Sequence, residues 1–133
     1  MLTGLNHITI SVSDLAKSFD FYVSLLGMKP KVKWDSGAYL SVGDLWICLS
    51  MGKALPAQDY SHIAFTADAE DFDAYCSQLL SYGVEVWKQN TSEGDSLYIL
   101  DPDGHKLEIH VGNLQSRLQK LSSDPYKGLK WYS

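Results

Sequence analysis

The spacing of apolar positions along this chain shifts between two and about 3.6, and each shift marks an element. Residues 6–12, Asn-His-Ile-Thr-Ile-Ser-Val, alternate and predict a strand. Asp14 stands where an N-cap belongs, ahead of a helix over 15–26 whose Leu15, Phe19, Tyr22, Leu25 and Leu26 keep helical spacing. Gly27 ends it. Three short strands follow, over 30–34, 38–42 and 45–50, separated by Asp35-Ser36-Gly37 and Gly43-Asp44. Residues 51–59 carry no period and predict a loop.

The order then begins again. Ser61-His62-Ile63-Ala64-Phe65-Thr66 echoes Asn6-His7-Ile8-Thr9-Ile10-Ser11, a period of about 55 residues. A second helix over 70–82 closes at Gly83, and strands over 84–88, 96–100 and 106–111 complete the unit. One such unit has one sheet and an open edge, too little to be stable alone, so units must pair. The expected fold is therefore α+β. Paired βαβββ modules, over 4–50 and 60–112, form a cupped, barrel-like mixed sheet within one domain of residues 1–133. A helix capped by Asn113 and an aromatic tail fill 113–133.

Bulk composition narrows the function classes. Apolar residues make up 45% and charged residues 20%, as in a globular domain. The net charge of −5 argues against nucleic acid as a partner, though a local cation cluster can still hold a small anion. No apolar run reaches membrane-span length and the first residues lack a signal pattern, so a cytoplasmic protein is expected. Cys48 and Cys76 show no paired spacing and predict reduced core thiols.

Candidate chemistry gathers around Tyr98–His110. Pro102, Asp103 and Gly104 predict a tight turn, after which Lys106, Glu108 and His110 share one strand face. Alone, that face would be an ordinary solvated one. The repeat changes its meaning, because it makes His7 and His62 equivalent. Two such histidines with Glu108 form a His₂Glu set suited to Mn(II), Fe(II), Co(II) or Zn(II), with coordination positions left open. In the first module the place matching Glu108 is expected at Trp46 or Ile47, which provides no fourth ligand. His105, as a turn residue, and His110, two positions past Glu108, are the rival ligands.

Longer blocks carry a resemblance. Gly37-Ala38-Tyr39-Leu40, Asp44-Leu45-Trp46-Ile47-Cys48-Leu49-Ser50, Trp87-Lys88-Gln89-Asn90 with Ser92-Glu93-Gly94, and Asp101 through Glu108 resemble the vicinal-oxygen-chelate superfamily. Within it the chain is similar to the fosfomycin-resistance glutathione transferases of the FosA type, from Leu5 to about Gly128. That resemblance implies a Mn(II)-dependent, K⁺-stimulated enzyme, with Zn(II), Co(II) or Fe(II) as substitutes, that adds the glutathione thiol to the epoxide of fosfomycin. It implies a domain-swapped homodimer in which His7 of one chain joins His62 and Glu108 of the other. Thr9, Trp46, Lys88, Ser92, Tyr98 and Arg117 are implied as substrate ligands, Thr9 and Tyr39 as catalytic, and Asn90, Ser92, Gly94 and Ser96 as the K⁺ site. Asp95 departs from the small neutral residue common there, and the 51–59 loop is shorter than in many relatives. A sister hydrolase group carries a glutamate at about the position of Gly37, where this chain is expected to leave space for the incoming sulfur. The rivals are that hydrolase, a transferase using another thiol, a glyoxalase-type isomerase, a ring-cleaving dioxygenase and a metal-free drug-binding module.

Overall fold

The computed structural model describes residues 1–91 and 93–132. Strand β1 (His7–Val12) leads into α1 (Leu15–Phe19), which runs on as a wider π-helical turn over Asp20–Leu25. The Asp14 carboxylate accepts from Lys17 N at 3.1 Å, the capping role its position predicts. Strands β2 (Lys29–Trp34), β3 (Gly37–Val42) and β4 (Leu45–Met51) follow. The second half repeats the order with β5 (Ile63–Thr66), α2 (Phe72–Ser81), β6 (Val86–Lys88), β7 (Ser96–Leu100) and β8 (Lys106–His110). Helix α3 (Leu114–Ser123) closes the chain's regular structure, fixed by a capping box between Asn113 and Ser116.

The fold is α+β, with two four-stranded mixed sheets of the same order, β1-β4-β3-β2 and β5-β8-β7-β6. In each, the first strand runs parallel to the last and the other pairs are antiparallel. Gly27 and Gly83 end the two helices at φ +88° and +83°, a conformation that costs a side-chain-bearing residue. Boundaries differ slightly from the periodicity. Gly83 N and Val84 N still bond back to Leu80 and Leu79 carbonyls, so the next strand begins only at Val86.

Register corrects one expectation. Thr9 pairs with Cys48 in the first sheet, and Ala64 pairs with Glu108 in the second. Thr9 and Ala64 each lie two residues beyond the repeated histidine, so Glu108 matches Cys48, not Trp46 or Ile47. The two hairpins turn through different lengths, Gly43–Asp44 against Asp101–His105, and counting back from the turn slips the register.

Strand alternation divides each sheet into two faces. Ile10, Val12, Leu40, Ile47 and Leu49 from the first, and Phe65, Ile99, Leu107 and Ile109 from the second, join Tyr22, Leu26, Phe72 and Leu79 in one core. The opposite faces are left for chemistry. Polar contacts stitch the halves together: Tyr22 Oη donates to buried Asp101 at 2.6 Å, His105 Nε2 reaches Ser11 O at 2.7 Å, and Ser13 N donates to Asp103 at 3.1 Å. Burial, then the Asp101 charge, pushes the Tyr22 phenol pKa far above its ordinary value, so it stays a donor.

Removing that donor leaves a buried carboxylate one partner short. Tyr22→Phe is expected to lose about 1.5–3 kcal/mol of stability. Urea unfolding should show a lower midpoint at unchanged slope, and an unchanged midpoint would contradict the stitching role of this bond.

Candidate metal and anion site

Glu108 sits in the middle of β8, flanked by β5 and β7, and is only 7% exposed. Each carboxylate oxygen has its own neighbour. Oε2 accepts from Ser96 Oγ at 2.6 Å, and Oε1 faces His62 Nε2 at 2.9 Å. His62 Nδ1 lies 2.8 Å from the Tyr60 carbonyl, which can only accept, so Nδ1 carries the hydrogen. In the neutral ring Nε2 is then a lone-pair donor aimed at a carboxylate oxygen. A proton on Nε2 would make this contact a hydrogen bond, and a divalent ion would take both atoms as ligands; a carbonyl-anchored imidazole is how a metal-binding histidine is held. His62 and Glu108 fit a divalent ion.

His7 is not beside them within the chain. Among the described residues no trio of metal-ligand side chains unites His7, His62 and Glu108. His7 lies on the open face of the first sheet, stacked on Trp46 with centroids 4.3 Å apart and Nδ1 2.6 Å from Asn6 Oδ1. Its Nε2 is thereby left as the ligand atom, the same tautomer arrangement as in His62. The trio that does meet, Asp101, Asp103 and His105, is committed to backbone and hydroxyl groups of its own turn and of the first module. His105 is thus a turn residue. His110 lies closer to the chemistry, with Nδ1 2.6 Å from Ser96 Oγ and 3.3 Å from Glu108 Oε2.

Cations and aromatic rings surround the pair. Lys88, on the edge strand β6, hydrogen-bonds Tyr60 Oη and lies over the Tyr60 and Tyr98 rings at 4.7 and 4.8 Å. The Tyr60 bond leads the influences that raise its pKa and keep it charged. Tyr98 is buried opposite Glu108, edge-on to Trp87 at 5.2 Å and to His62 at 6.1 Å. Arg117, on α3, donates Nε to Glu93 Oε1 at 3.2 Å. Asn90 Nδ2 donates to the Gly94 carbonyl at 2.8 Å, and Ser96 completes the loop's contact with Glu108. Ser92, expected as a substrate and K⁺ ligand, lies outside the described residues.

The first sheet carries the other expected residues on its open face. Thr9 is exposed on β1, and with His62 it lines a groove of about 530 Å³. Tyr39 and Trp46 are 36% and 38% exposed and stand edge-on at 5.2 Å, so they are not core aromatics. Cys48 is half-buried on this face, not in the core where its apolar strand predicted it. Gly37 also needs correction. A Cβ there would lie 2.5 Å from Trp34 Cζ2 and 2.8 Å from the Leu49 carbonyl, so the indole fills the space expected for an incoming sulfur.

Sequence reasoning overlooked Tyr60, Glu93 and the full role of His110. Tyr60 sits in an aperiodic loop, and Glu93 reads as a turn residue. Strand parity puts His110 on the face of Glu108, and the pairing of Ser96 with His110 adds the hydroxyl that touches both.

Comparison with known proteins fits this geometry. Residues 4–109 match the model of the Glyoxalase/Bleomycin resistance protein/Dioxygenase superfamily. The chain belongs to that superfamily. Its relatives include thiol transferases and solved fosfomycin resistance proteins. Glutathione transferase FosA of Serratia marcescens is 51% identical, over 100% of this chain and 98% of that protein. Metallothiol transferase FosB of Lysinibacillus sphaericus is 41% identical over 86% of each. The crystal structure of the fosfomycin resistance protein FosX from Listeria monocytogenes, complexed with Mn(II) and sulfate, superposes with a TM-score of 0.81 at 33% identity. It covers 90% of this chain and 98% of that one.

The crowding at Gly37 is testable. Gly37→Ala is expected to destabilise by about 1–3 kcal/mol, because a backbone carbonyl and an indole cannot both retreat. Gly37→Ala combined with Trp34→Ala should recover part of the loss in a thermal melt. A single variant as stable as the parent would show that the strand pair yields freely.

Proposed function

We propose that this superfamily member is a divalent-metal-dependent, K⁺-stimulated glutathione transferase that opens the epoxide of fosfomycin in the cytoplasm. The observation that carries the reading is the His62 Nε2–Glu108 Oε1 pair, two ligand atoms pre-aimed at one point in a half-buried, cation-lined face. The names of the relatives, a glutathione transferase and a metallothiol transferase, support the reaction class. The Mn(II) in the Listeria structure supports the metal.

In this reading a second copy of the chain supplies His7, since the chain's own His7 does not meet Glu108 among the described residues. Pairing of the two open faces brings Thr9, Tyr39 and Trp46 of one copy over His62, Glu108, Tyr98 and Lys88 of the other. The two histidines and Glu108 would hold a divalent ion, which would supply Lewis acidity for opening the epoxide. Lys88 and Arg117 bind the phosphonate, joined by hydroxyls of Thr9, Tyr98 and Ser92. Asn90, Ser92, Gly94 and Ser96 would offer oxygen atoms to K⁺, the donor type a hard cation takes. With the anion fixed, the thiol meets the epoxide carbon from the side opposite the C–O bond. The S–C bond forms, the C–O bond breaks, and the thiol proton, passed by way of Tyr39, ends on the new hydroxyl.

Thiol addition is favoured over hydrolysis by proton affinity. Water, with a pKa of about 15.7, needs a strong base near the carbon, and a thiol at about 8.5 needs little help. Gly37 offers no base, and the Trp34 indole leaves no room for one.

The deciding experiment is NMR of fosfomycin incubated with protein, Mn(II), K⁺ and several thiols. The glutathione adduct should dominate, with the diol a trace. Comparable diol formation without thiol would move the chain to the hydrolases. In electron paramagnetic resonance titrations, His62→Ala and Glu108→Ala should each abolish tight Mn(II) binding, and unchanged affinity in both would remove them from the site. Lys88→Ala should weaken fosfomycin binding about ten-fold while Mn(II) affinity holds. Calorimetry giving wild-type affinity would contradict the assignment of Lys88.

A further inference from the structure

One carboxylate oxygen connects the anion-binding side of this site to its metal side. Glu93 Oε1 lies 3.2 Å from Arg117 Nε, 3.5 Å from Ser116 Oγ and 3.7 Å from His110 Nε2. The other ring nitrogen of His110 rests on Ser96 and Glu108 at 2.6 and 3.3 Å. An unbroken line of contacts therefore runs from Arg117 on α3 through Glu93 and His110 to Glu108 on β8. Glu93, His110 and Glu108 keep only 13%, 15% and 9% of their side-chain surface exposed.

The backbone is shaped around this line. Gly112 has φ +136°, and a Cβ on it would stand 2.9 Å from His110 Nε2 and 3.0 Å from Ser116 Oγ. Gly94 has φ +75°, and its Cβ would stand 2.4 Å from the Val111 carbonyl and 3.1 Å from His110 Cε1. Two glycines thus clear the slot that holds the imidazole. The fold does not require any of this. In the first sheet, which has the same strand order, the places of Ser96, Glu108 and His110 are taken by Gly37, Cys48 and Ser50.

We propose that Glu93, backed by His110, is a positioning residue that presents Arg117 to the anionic group of the substrate. It rests on the phosphonate-binding role given to Arg117 above. A guanidinium gripped through Nε keeps its terminal nitrogens for another partner, and in a planar fork this also sets their direction. Glu93 also acts in the opposite sense, because a carboxylate beside Arg117 repels an incoming anion. Positioning and repulsion predict opposite signs when the carboxylate is removed, which makes the proposal decidable.

The test is calorimetric titration of methylphosphonate into Mn(II)-loaded protein, for the wild type, Glu93→Ala and Glu93→Gln, each with and without Arg117→Ala. Glu93→Ala, which loses the acceptor, should weaken binding about ten-fold. Glu93→Gln keeps an oxygen for Arg117 Nε without the charge, and should bind at least as tightly as the wild type within about three-fold. In the Arg117→Ala background the three should be indistinguishable, the non-additivity expected of residues acting as one unit. Should Glu93→Ala fail to fold, Arg117→Lys replaces it. Lysine keeps the charge but has no Nε fork, so it should weaken binding similarly and be insensitive to Glu93→Gln. Tighter or unchanged binding by Glu93→Ala would overturn the proposal, as would an equal loss without Arg117 or no methylphosphonate binding by the wild type. A wild type that binds methylphosphonate yet leaves fosfomycin unchanged would sink the proposed reaction and leave the positioning role standing.

Discussion

Burying a carboxylate on a central strand is the constraint around which this site is built. Glu108, in a sheet otherwise packed with Leu107 and Ile109, would be costly without charge or hydrogen-bond compensation. Every neighbour answers it: Ser96 donates to one oxygen, His62 faces the other, and His110 stands alongside. The Tyr60 carbonyl fixes a hydrogen on His62 Nδ1, so Nε2 meets the carboxylate oxygen through a proton or a bound cation. The arrangement is complete only with a positive charge added. Site geometry of this kind follows from the buried group and not from any motif near it.

The same template is used twice, with chemistry written on one copy. Both sheets share strand order, helix placement and a tyrosine opposite the central position, Tyr39 against Cys48 and Tyr98 against Glu108. Core positions are kept apolar in both: Leu40 and Ile99, Ile47 and Leu107, Leu49 and Ile109. The open face diverges, because it carries no packing demand. The first sheet presents rings, Trp34, Tyr39, Trp46 and His7, and the second presents ligands and cations.

How much of this the sequence disclosed depends on whether the signal was periodic. Strand parity placed Glu108 on one face with His110, and the repeat matched His7 to His62. Both are local readings of alternation, and the fold class followed from them. The match of Glu108 to Cys48 was not legible, because unequal turns shift the register by an amount no pattern records. Nor was the exposure of Tyr39 and Trp46, since an aromatic on a strand looks the same whether it faces core or an open sheet. Gly37 shows a different limit. Its lack of a side chain suggested room, yet the ring of Trp34, its cross-strand partner and three residues away in sequence, occupies that room. Glu93 sits in an aperiodic loop, and only the fold places it between α3 and β8.

The open faces also bear on assembly. Trp34, Tyr39, Trp46 and Met51 expose between 36% and 48% of their surface on or beside one sheet, and ring contacts run edge-on from Trp34 through Tyr39 to Trp46, which is tilted against His7. Contiguous apolar surface of this kind is unfavourable in water and marks a contact site. The open face of the second sheet has the complementary deficit, because among the described residues no trio of ligand side chains forms around His62 and Glu108. The cover one face needs is a polar, cation-bearing surface that tolerates aromatic rings, and Lys88 lying over Tyr60 and Tyr98 shows that the second sheet already associates cations with rings. In the proposed pairing a second copy of the chain would supply both missing halves at once, and one closed two-fold interface would answer both deficits.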